Sequence, residues 1–247
     1  INIFPKIDYY FDSSKLTIKN MNSSFIRKIE KIFPQIRISY YKKAININSR
    51  GFDQLLIKKI TKEEKYLVFI DSFNEHSDRT SREGPVSTED SLKYYSTLSN
   101  FMKKLSKFYN KKFIICIHPK NNSKLFLKHF KNFTIKKYKT QEMIAKSFIS
   151  FFHSSSSVLD SIILNKHTIL LKSSLLGSFV SDRVVQYQRL LNLQSLNIDD
   201  YPLLKKNKVD LILNSPKKNN YYIKNHLNSD GLIPGYKKII RLLKKIT

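Results

Sequence analysis

The feature of this sequence that most constrains its fold is a series of short apolar segments, each followed by a polar turn and then a helical pattern. Residues Phe113–Ile117 (FIICI) are apolar at every position, which is typical of a strand covered on both faces. Residues Tyr66–Ile70 (YLVFI), 148–152 (FISFF) and 168–171 (TILL) have a similar character. Strands that alternate with helices in this way predict an α/β domain with a parallel sheet and helices on both faces.

The segments between these strands show helical spacing. A helix is predicted to begin at Ser87, with Asp90 as its capping-box partner and a buried face of apolar residues three and four positions apart. The predicted buried residues are Leu92, Tyr95, Leu98, Met102, Leu105 and Tyr109. Further helices are predicted within 121–130, at 140–146, from Val158, and over 181–193 with Ser181 as its cap. Loops are predicted at 71–85, 136–139 and 172–177, and a brief strand at 133–135.

The two ends of the chain carry weaker signals. Residues 1–64 are interpreted as the remnant of a preceding domain or as an outer layer, with a helix predicted over 23–33 and a strand over 35–41. Residues 65–247 are assigned to one domain that ends in helices. The last helix, 235–247, is basic and amphipathic, and packing on the domain is favoured over a peripheral membrane contact. Because the chain begins with Ile, we expect it to lie inside a longer protein.

Composition limits the environment and the partners of the protein. With 247 residues, 41% of them hydrophobic, the chain can bury a sizeable core. The single cysteine, Cys116, lies within FIICI, which predicts a packed thiol in a reducing compartment. The predicted location is the cytoplasm, with the inner face of the membrane as a further location. No apolar stretch is long enough for a membrane span. The net charge of +26 implies an acidic partner, such as nucleotide phosphates, lipid-linked phosphates or an anionic membrane face.

Four consecutive serines form the turn between the strand at 148–152 and the helix that begins at Val158. They are Ser154, Ser155, Ser156 and Ser157. The first N–H groups of a helix have no partner within it, and the helix macrodipole is positive there. Serine hydroxyls add further donors, so the turn is a candidate anion site, most often for phosphate. The structural alternative is an ordinary helix cap, for which one serine would suffice.

Cationic, hydroxyl and imidazole groups follow the other predicted strands as well. Ligands of an open parallel sheet bind beyond the carboxyl ends of its strands, so these groups are predicted to line one anion pocket. They are His118 and Lys120, which flank Pro119, then Tyr138, then Lys172 and Ser173. His118 is the candidate catalytic residue, because an imidazole held by the following proline can donate to a phosphate oxygen and, when protonated, neutralise charge on a departing phosphate.

The segments FIICIHPK (113–120) and FFHSSSSVLDSIILNKHTILL (151–171) resemble the carboxy-terminal nucleotide-binding half of bacterial glycosyltransferases of the GT-B fold. The resemblance is closest to sialyltransferases, polysialyltransferases and related capsule or lipooligosaccharide transferases, which carry an HP motif and a serine-serine motif. It implies a Rossmann-like domain in which His118 contacts the donor phosphate and Ser155 and Ser156 hold the same group. It also implies that the last helix crosses back to the amino-terminal domain.

One part of that family's pattern is missing from this sequence. The family's acidic general base lies in the amino-terminal domain within an acidic-acidic-glycine motif, and Glu83-Gly84 is a lone near-match in the other half. Asp71, Glu75 and Asp78 are the remaining candidate carboxylates, although acids in a polar loop more often only interact with solvent. No clustered Asp or His has ligand spacing, and neither a metal nor another cofactor is expected.

The sequence therefore predicts a glycosyltransferase that moves a sialic-acid-like or other sugar from a nucleotide-activated donor, with a CMP-sugar favoured. The predicted acceptor is a surface polysaccharide or lipooligosaccharide, that is, a glycan or lipid-linked acceptor. The nucleotide base is expected near Tyr138, and the residues predicted in the vicinity of the base or its sugar are Pro119, Lys120, Tyr138, Lys172 and Ser173. The alternative among enzymes is a CDP-polyol phosphotransferase of the teichoic-acid type, which has a similar HP and serine pattern. The alternative from another class is a non-catalytic basic module that binds nucleic acid or anionic membrane; the transferase hypothesis expects no specific nucleic acid.

Overall fold

A computed structural model of the chain describes residues 7–13, 41–58, 63–72, 77–215, 220–227 and 233–244. Contacts divide the chain into two compact units, residues 60–219 and a second unit formed by residues 1–59 together with 220–247. The sequence-based assignment placed 220–247 with the sheet domain, whereas the contacts group these residues with the beginning of the chain. The helix predicted over 23–33, and the strand predicted over 35–41 except for Tyr41, lie outside the described residues.

Strands and helices alternate through most of residues 66–197. The strands are β1 (Ile7–Asp12), β2 (Tyr41–Asn46), β3 (Tyr66–Ile70), β4 (Phe113–Ile117), β5 (Thr134–Lys137), β6 (Ser147–Phe152), β7 (His167–Lys172) and β8 (Ser195–Asn197). The helices are α1 (Arg50–Lys58), α2 (Ser77–Glu83), α3 (Thr88–Tyr109), α4 (Lys124–His129), α5 (Thr140–Ala145), α6 (Val158–Ile163), α7 (Ser178–Leu191), α8 (Lys206–Leu213), α9 (Asn220–Tyr222) and α10 (Gly235–Leu243). A 3-10 helix (Ile198–Leu203) follows β8, and a π-helical turn (Ile223–Leu227) continues α9.

Six parallel strands form the sheet of the larger unit, in the order β5-β4-β3-β6-β7-β8. This is the order of a doubly wound, Rossmann-like sheet, in which the direction of strand addition reverses beside the first strand. That first strand is β3, where Ile70 lies level with Cys116 of β4 on one side and with Phe152 of β6 on the other. The predicted parallel α/β fold is confirmed, and both Phe113–Ile117 and 148–152 lie inside the sheet.

The two faces of the sheet pack against different helices, because successive residues of a strand point to opposite sides. One face, which includes Leu67, Ile115 and Phe151, packs in a single core cluster with α3. Helices α5 and α6 lie on the other face, to which Ile114 points. Cys116, on the same face as Ile114, is buried, and burial raises the pKa of its thiol to about 12. Each buried Leu or Phe contributes roughly 1.5–3 kcal/mol, so this core fixes the positions of the strand ends.

The long helix α3 begins where the sequence predicts. The Ser87 hydroxyl oxygen accepts from the N–H of Asp90 at 3.0 Å, and the hydroxyl donates to the Asp90 carboxylate at 2.7 Å. Leu92 was predicted to be buried but is 42% exposed. The small side chain of Ser91 faces the core in the first turn, so its neighbour Leu92 is turned outward.

Two other boundaries differ from the sequence-based prediction. The predicted loop 71–85 contains α2, whose sequence SDRTSRE has no apolar periodicity from which a helix could be recognised. The predicted loop 136–139 begins two residues too early, because β5 pairs with β4 as far as Lys137.

Helix α7 begins at Ser178, three residues before the predicted cap at Ser181. The carboxylate of Glu83, at the end of α2, accepts from the N–H of Phe179 and from the Ser178 hydroxyl, each at 2.5 Å. A Cβ on Gly177, the N-cap residue, would collide with this carboxylate. An acidic side chain from a distant segment therefore caps the helix.

In the smaller unit, β1 and β2 pair in parallel, and the start of α10 is tied to the first part of the chain. The N–H of Gly235 donates to Asp53 at 2.6 Å, and the amide of Asn48 donates to the carbonyl of Ile233 at 2.9 Å. The start of the last helix is therefore held by amino-terminal residues of the same unit. Of the helices that the structure describes, none combines the length and the apolar character that crossing a membrane requires.

Candidate phosphate-binding site

The carboxyl ends of β3, β4 and β6 border the crevice at which the strand order reverses, which is where ligands bind in sheets of this kind. Asp71 and Ser72 follow β3, and His118 follows β4. The serine turn, residues 154–157, follows β6. Since β3 lies between the other two strands, the turn that carries His118 and the serine turn flank the same strand end.

Asp71 fixes the turn that carries His118. Its side chain is buried, and its Oδ2 accepts from Nδ2 of Asn121 at 2.8 Å and from the backbone N–H of His118 at 3.2 Å. The N–H of Asn121 donates to the carbonyl of His118 at 2.9 Å, and the N–H of Lys120 donates to Nδ1 of His118 at 3.2 Å. Because Nδ1 accepts a hydrogen bond, the neutral imidazole carries its proton on Nε2. Nε2 is therefore the donor of this ring.

Ser72 joins the end of β3 to the serine turn, since its hydroxyl oxygen accepts from the N–H of Ser154 at 3.2 Å. Inside the turn, the hydroxyl oxygen of Ser155 accepts from the N–H of Ser157 at 3.3 Å. The backbone N–H groups of Ser155 and Ser156 have no hydrogen-bond partner in the described part of the chain. Two adjacent backbone donors are therefore left for an anion.

The sequence suggested three sources of positive character at this turn, namely backbone N–H groups, serine hydroxyls and the helix macrodipole, and the macrodipole is the weakest of them. Helix α6 has six residues, too short for a strong macrodipole, and the side chain of its N-cap residue, Ser157, makes no capping hydrogen bond. Individual donors take the place of the dipole: the N–H groups of Ser155 and Ser156 and the hydroxyls of the turn. Ser156 is the exposed member of the four serines.

His153 directly precedes the serine turn, and its buried ring is held by two hydrogen bonds. The ring is 2% exposed, with Nδ1 2.7 Å from the carbonyl oxygen of Leu171 and Nε2 2.7 Å from the hydroxyl of Tyr94. A carbonyl can only accept, so Nδ1 carries the proton and Nε2 accepts from Tyr94. Burial lowers the pKa of His153 from the usual 6.5 to about 4. The neutral ring therefore connects the turn to α3 and β7 rather than facing a ligand.

The remaining sequence-predicted positions lie along the same edge of the sheet but further from β3. Tyr138 follows β5, beyond β4; its side chain is 75% exposed, and Nζ of Lys137 lies 5.6 Å from the ring centroid. Lys172 ends β7, beyond β6. Ser173 is buried and its hydroxyl donates to Asp199 at 2.6 Å, so this serine holds the loop after β7. Pro119 lies in the turn between His118 and Lys120.

The candidate carboxylates do not form an acidic centre in the described residues. Asp71 positions the His118 turn, and Glu83 caps α7. Glu75 lies outside the described residues, and Asp78 lies in α2. Among the residues that the structure describes, no group of three or more His, Cys, Asp or Glu side chains could hold a metal ion.

Sequence analysis missed the hydrogen bonds by which Asp71 and Ser72 hold the two turns. The available signals were an acid directly after a fully apolar strand and an asparagine, Asn121, three residues after His118. Neither signal shows that the two residues meet, because they are fifty positions apart in the sequence.

Solved structures of similar fold are GT-B proteins. A variant of the wall teichoic acid polymerase TagF matches over 96% of this chain and 57% of its own, with a TM-score of 0.54 and 14% identity. A TagF variant soaked with CDPG matches over 96% of this chain and 56% of its own, with a TM-score of 0.51 and 13% identity. The UDP-GlcNAc 2-epimerase of Methanocaldococcus jannaschii, in complex with UDP-GlcNAc and UDP, covers 96% and 61%, with a TM-score of 0.48 and 14% identity.

The present chain spans 56–61% of the length of these structures. No protein-family model and no curated protein matches the sequence. Similarity at this level of identity shows the fold, which is Rossmann-like and of the GT-B kind. The sialyltransferase-like subtype stays a prediction from the two motifs.

Proposed function

We propose that the larger unit binds the phosphate of a nucleotide-activated donor at the carboxyl edge of its sheet, as part of an enzyme that builds a surface glycan or related polymer. The observation that carries the proposal is the arrangement after β3, where Asp71 holds the His118 turn and Ser72 holds the serine turn. Two consecutive residues thus support an imidazole donor and a set of N–H and hydroxyl donors beside one crevice. Phosphate binds where such donors converge.

In this proposal, His118 and the serine turn contact one phosphate from two sides. Nε2 of His118 donates to a phosphate oxygen, and a protonated ring would neutralise charge as the nucleotide departs. The N–H groups of Ser155 and Ser156 donate from the other side and stabilise the same developing charge. Tyr138 offers an exposed ring on which a nucleotide base can stack, and Lys120 is an exposed cation in the same turn as His118.

Two donor classes follow from different observations. The HP and serine motifs favour a CMP-activated sugar and hence glycosyl transfer. The fold similarity to TagF, a teichoic acid polymerase of which one structure was soaked with CDPG, supports a CDP-activated polyol as the second candidate. Both donors carry a cytidine nucleotide, so one site for a cytidine phosphate accommodates either class.

The test is a thermal-shift screen of the full chain with CMP, CDP, UDP and GDP at moderate salt, followed by calorimetry on any nucleotide that responds. A ligand that binds the folded state stabilises it by about 2.7 kcal/mol at a concentration one hundred times its Kd, so a specific nucleotide raises the melting temperature. We expect cytidine nucleotides to produce the larger rise. A melting temperature unchanged by all four, or raised equally by all four, would contradict the proposal.

A further inference from the structure

A groove opens on the sheet face opposite α3, beside the edge strand β5. Helix α5 packs against β3, β4 and β6 on this face. Thr134 and Lys136 of β5, which point to the same side as Ile114, remain exposed. The result is a cavity of about 410 Å³ between α5 and the edge strand, with buried Ile114 in its lining. This volume is within the range of small-molecule sites.

The lining of this groove is strongly basic, and we call it the lysine groove. Its four lysines are Lys112, Lys136, Lys139 and Lys146. The acidic residue in its lining is Glu142, which pairs with Lys146 at 3.0 Å and with Lys139 at 3.5 Å. In the described part of the chain, Lys112 and Lys136 have no carboxylate partner, so the groove has a net positive charge that an anionic ligand could neutralise.

The lysines are spread along the groove rather than gathered at one point. Lys112 directly precedes β4, whereas Lys136 lies level with Cys116, four residues further along that strand. Four strand residues span about 13 Å, so Lys112 and Lys136 extend from well-separated positions along the groove. Lys136 and Lys139 flank Tyr138, so the groove ends at the edge of the sheet that carries the candidate phosphate-binding site. Its geometry suits an extended chain with several anionic groups.

We propose that the lysine groove binds a linear, phosphate-bearing chain, the anionic part of the acceptor. Lysine ammonium groups bind phosphate as point charges without a fixed geometry, which suits a flexible chain of repeating phosphates. The identification of this chain as the acceptor rests on the proposed function. The binding of a phosphate-bearing chain to the lysine groove does not rest on that function.

The experiment measures the affinity of the full protein for labelled inorganic polyphosphate by fluorescence anisotropy, at several salt concentrations. The groove variant combines Lys112→Gln, Lys136→Gln and Lys139→Gln. The matched control combines Lys93→Gln, Lys103→Gln and Lys107→Gln, three exposed lysines of α3 on the other face of the sheet. Both variants lose the same formal charge. We expect the groove variant to lose at least about tenfold in affinity and part of its salt dependence, and the control less than about threefold.

Equal losses in the two variants would overturn the proposal, because they would show binding by net charge alone. Polyglutamate bound as tightly as polyphosphate would overturn the preference for phosphate, and single-stranded DNA bound more tightly in the same groove would assign it to nucleic acid.

Circular dichroism confirms that each variant is folded. The groove variant should keep the rise in melting temperature that a nucleotide produces. If polyphosphate binds in the groove but no nucleotide raises the melting temperature, the proposed function is contradicted while the proposal for the lysine groove stands.

Discussion

At the scale of single residues, the candidate site depends on side chains that need not touch a ligand themselves. Asp71 accepts two hydrogen bonds that hold the His118 turn, and His153 bridges Tyr94 and Leu171 beneath the serine turn. A buried carboxylate or imidazole that loses such partners costs about 1–3 kcal/mol or more. Because these groups are locked by packing, the donors they support are positioned before a ligand arrives.

His118→Ala tests the imidazole that we propose contacts the donor phosphate. A hydrogen bond to a charged group contributes roughly 1.5–3 kcal/mol, so we expect nucleotide affinity, measured by calorimetry, to fall about ten- to a hundredfold with folding preserved. Ser155→Ala together with Ser156→Ala should reduce nucleotide affinity by a similar factor, or by less if the backbone N–H groups make most of the contacts. Because all three residues are proposed to contact one phosphate, a variant with all three changes should lose less binding free energy than the sum of the separate losses. His129→Ala, at the end of α4, is the control. Unchanged affinity in folded His118→Ala would place the nucleotide site elsewhere.

The buried ring of His153 makes stability depend on pH in a defined window. Its pKa is about 4 in the folded protein and near 6.5 when unfolded, so the unfolded state binds more protons between these values. The neutral His153 ring therefore contributes its full share to the free energy of unfolding above about pH 6.5. This share is lost as the pH falls toward 4, and the loss amounts to at most about 3 kcal/mol. We expect urea midpoints to fall over this window.

The control for this pH dependence is a substitution at the same position. His153→Gln should be less stable at neutral pH but should lose less stability between pH 6.5 and 4. His129→Gln should keep most of the slope, although burial also lowers the pKa of His129. A slope that His153→Gln leaves unchanged would show that other groups cause it.

At the scale of elements, α2 and α7 are joined by a cap that crosses ninety-six positions of sequence between Glu83 and Phe179. A negative group at the start of a helix satisfies N–H donors and interacts favourably with the macrodipole. We therefore expect Glu83→Ala to lower the free energy of unfolding by about 1 kcal/mol in urea titrations. Glu64→Ala, at an exposed position, is the control. Equal stability of the two variants would mean that the cap contributes nothing.

The same pair of helices shows which elements a sequence can reveal. Phe113–Ile117 was predictable because a strand covered on both faces must be apolar throughout. Helix α2 was not, because its seven residues carry no apolar stripe, and the start of α7 was not, because its cap comes from another segment. For the site, the serine turn and His118 stood out as motifs. Their common support by Asp71 and Ser72 did not, since it depends on the order of strands in the sheet.

At the scale of the whole molecule, the net charge of +26 allows weak binding to any polyanion, and the proposed site must be distinguished from that background. Attraction to duplex DNA comes mainly from phosphates, so its affinity falls linearly with salt on logarithmic axes. We expect DNA binding by the full chain to be weak and lost at moderate salt, while nucleotide binding persists with a preference among bases. Competition anisotropy measures both. Tight, base-indifferent DNA binding at that salt would favour the non-catalytic basic module.

The position of Cys116 allows the opening of the sheet to be measured by thiol modification. It is the only thiol in the chain, it is buried in β4, and it lies two residues before His118. A thiol reagent can reach it only when that strand separates from its neighbours, so the rate of modification reports how often the sheet opens next to the imidazole. Any ligand that closes the crevice should slow this reaction, which makes occupancy measurable in an unlabelled protein with no added residue.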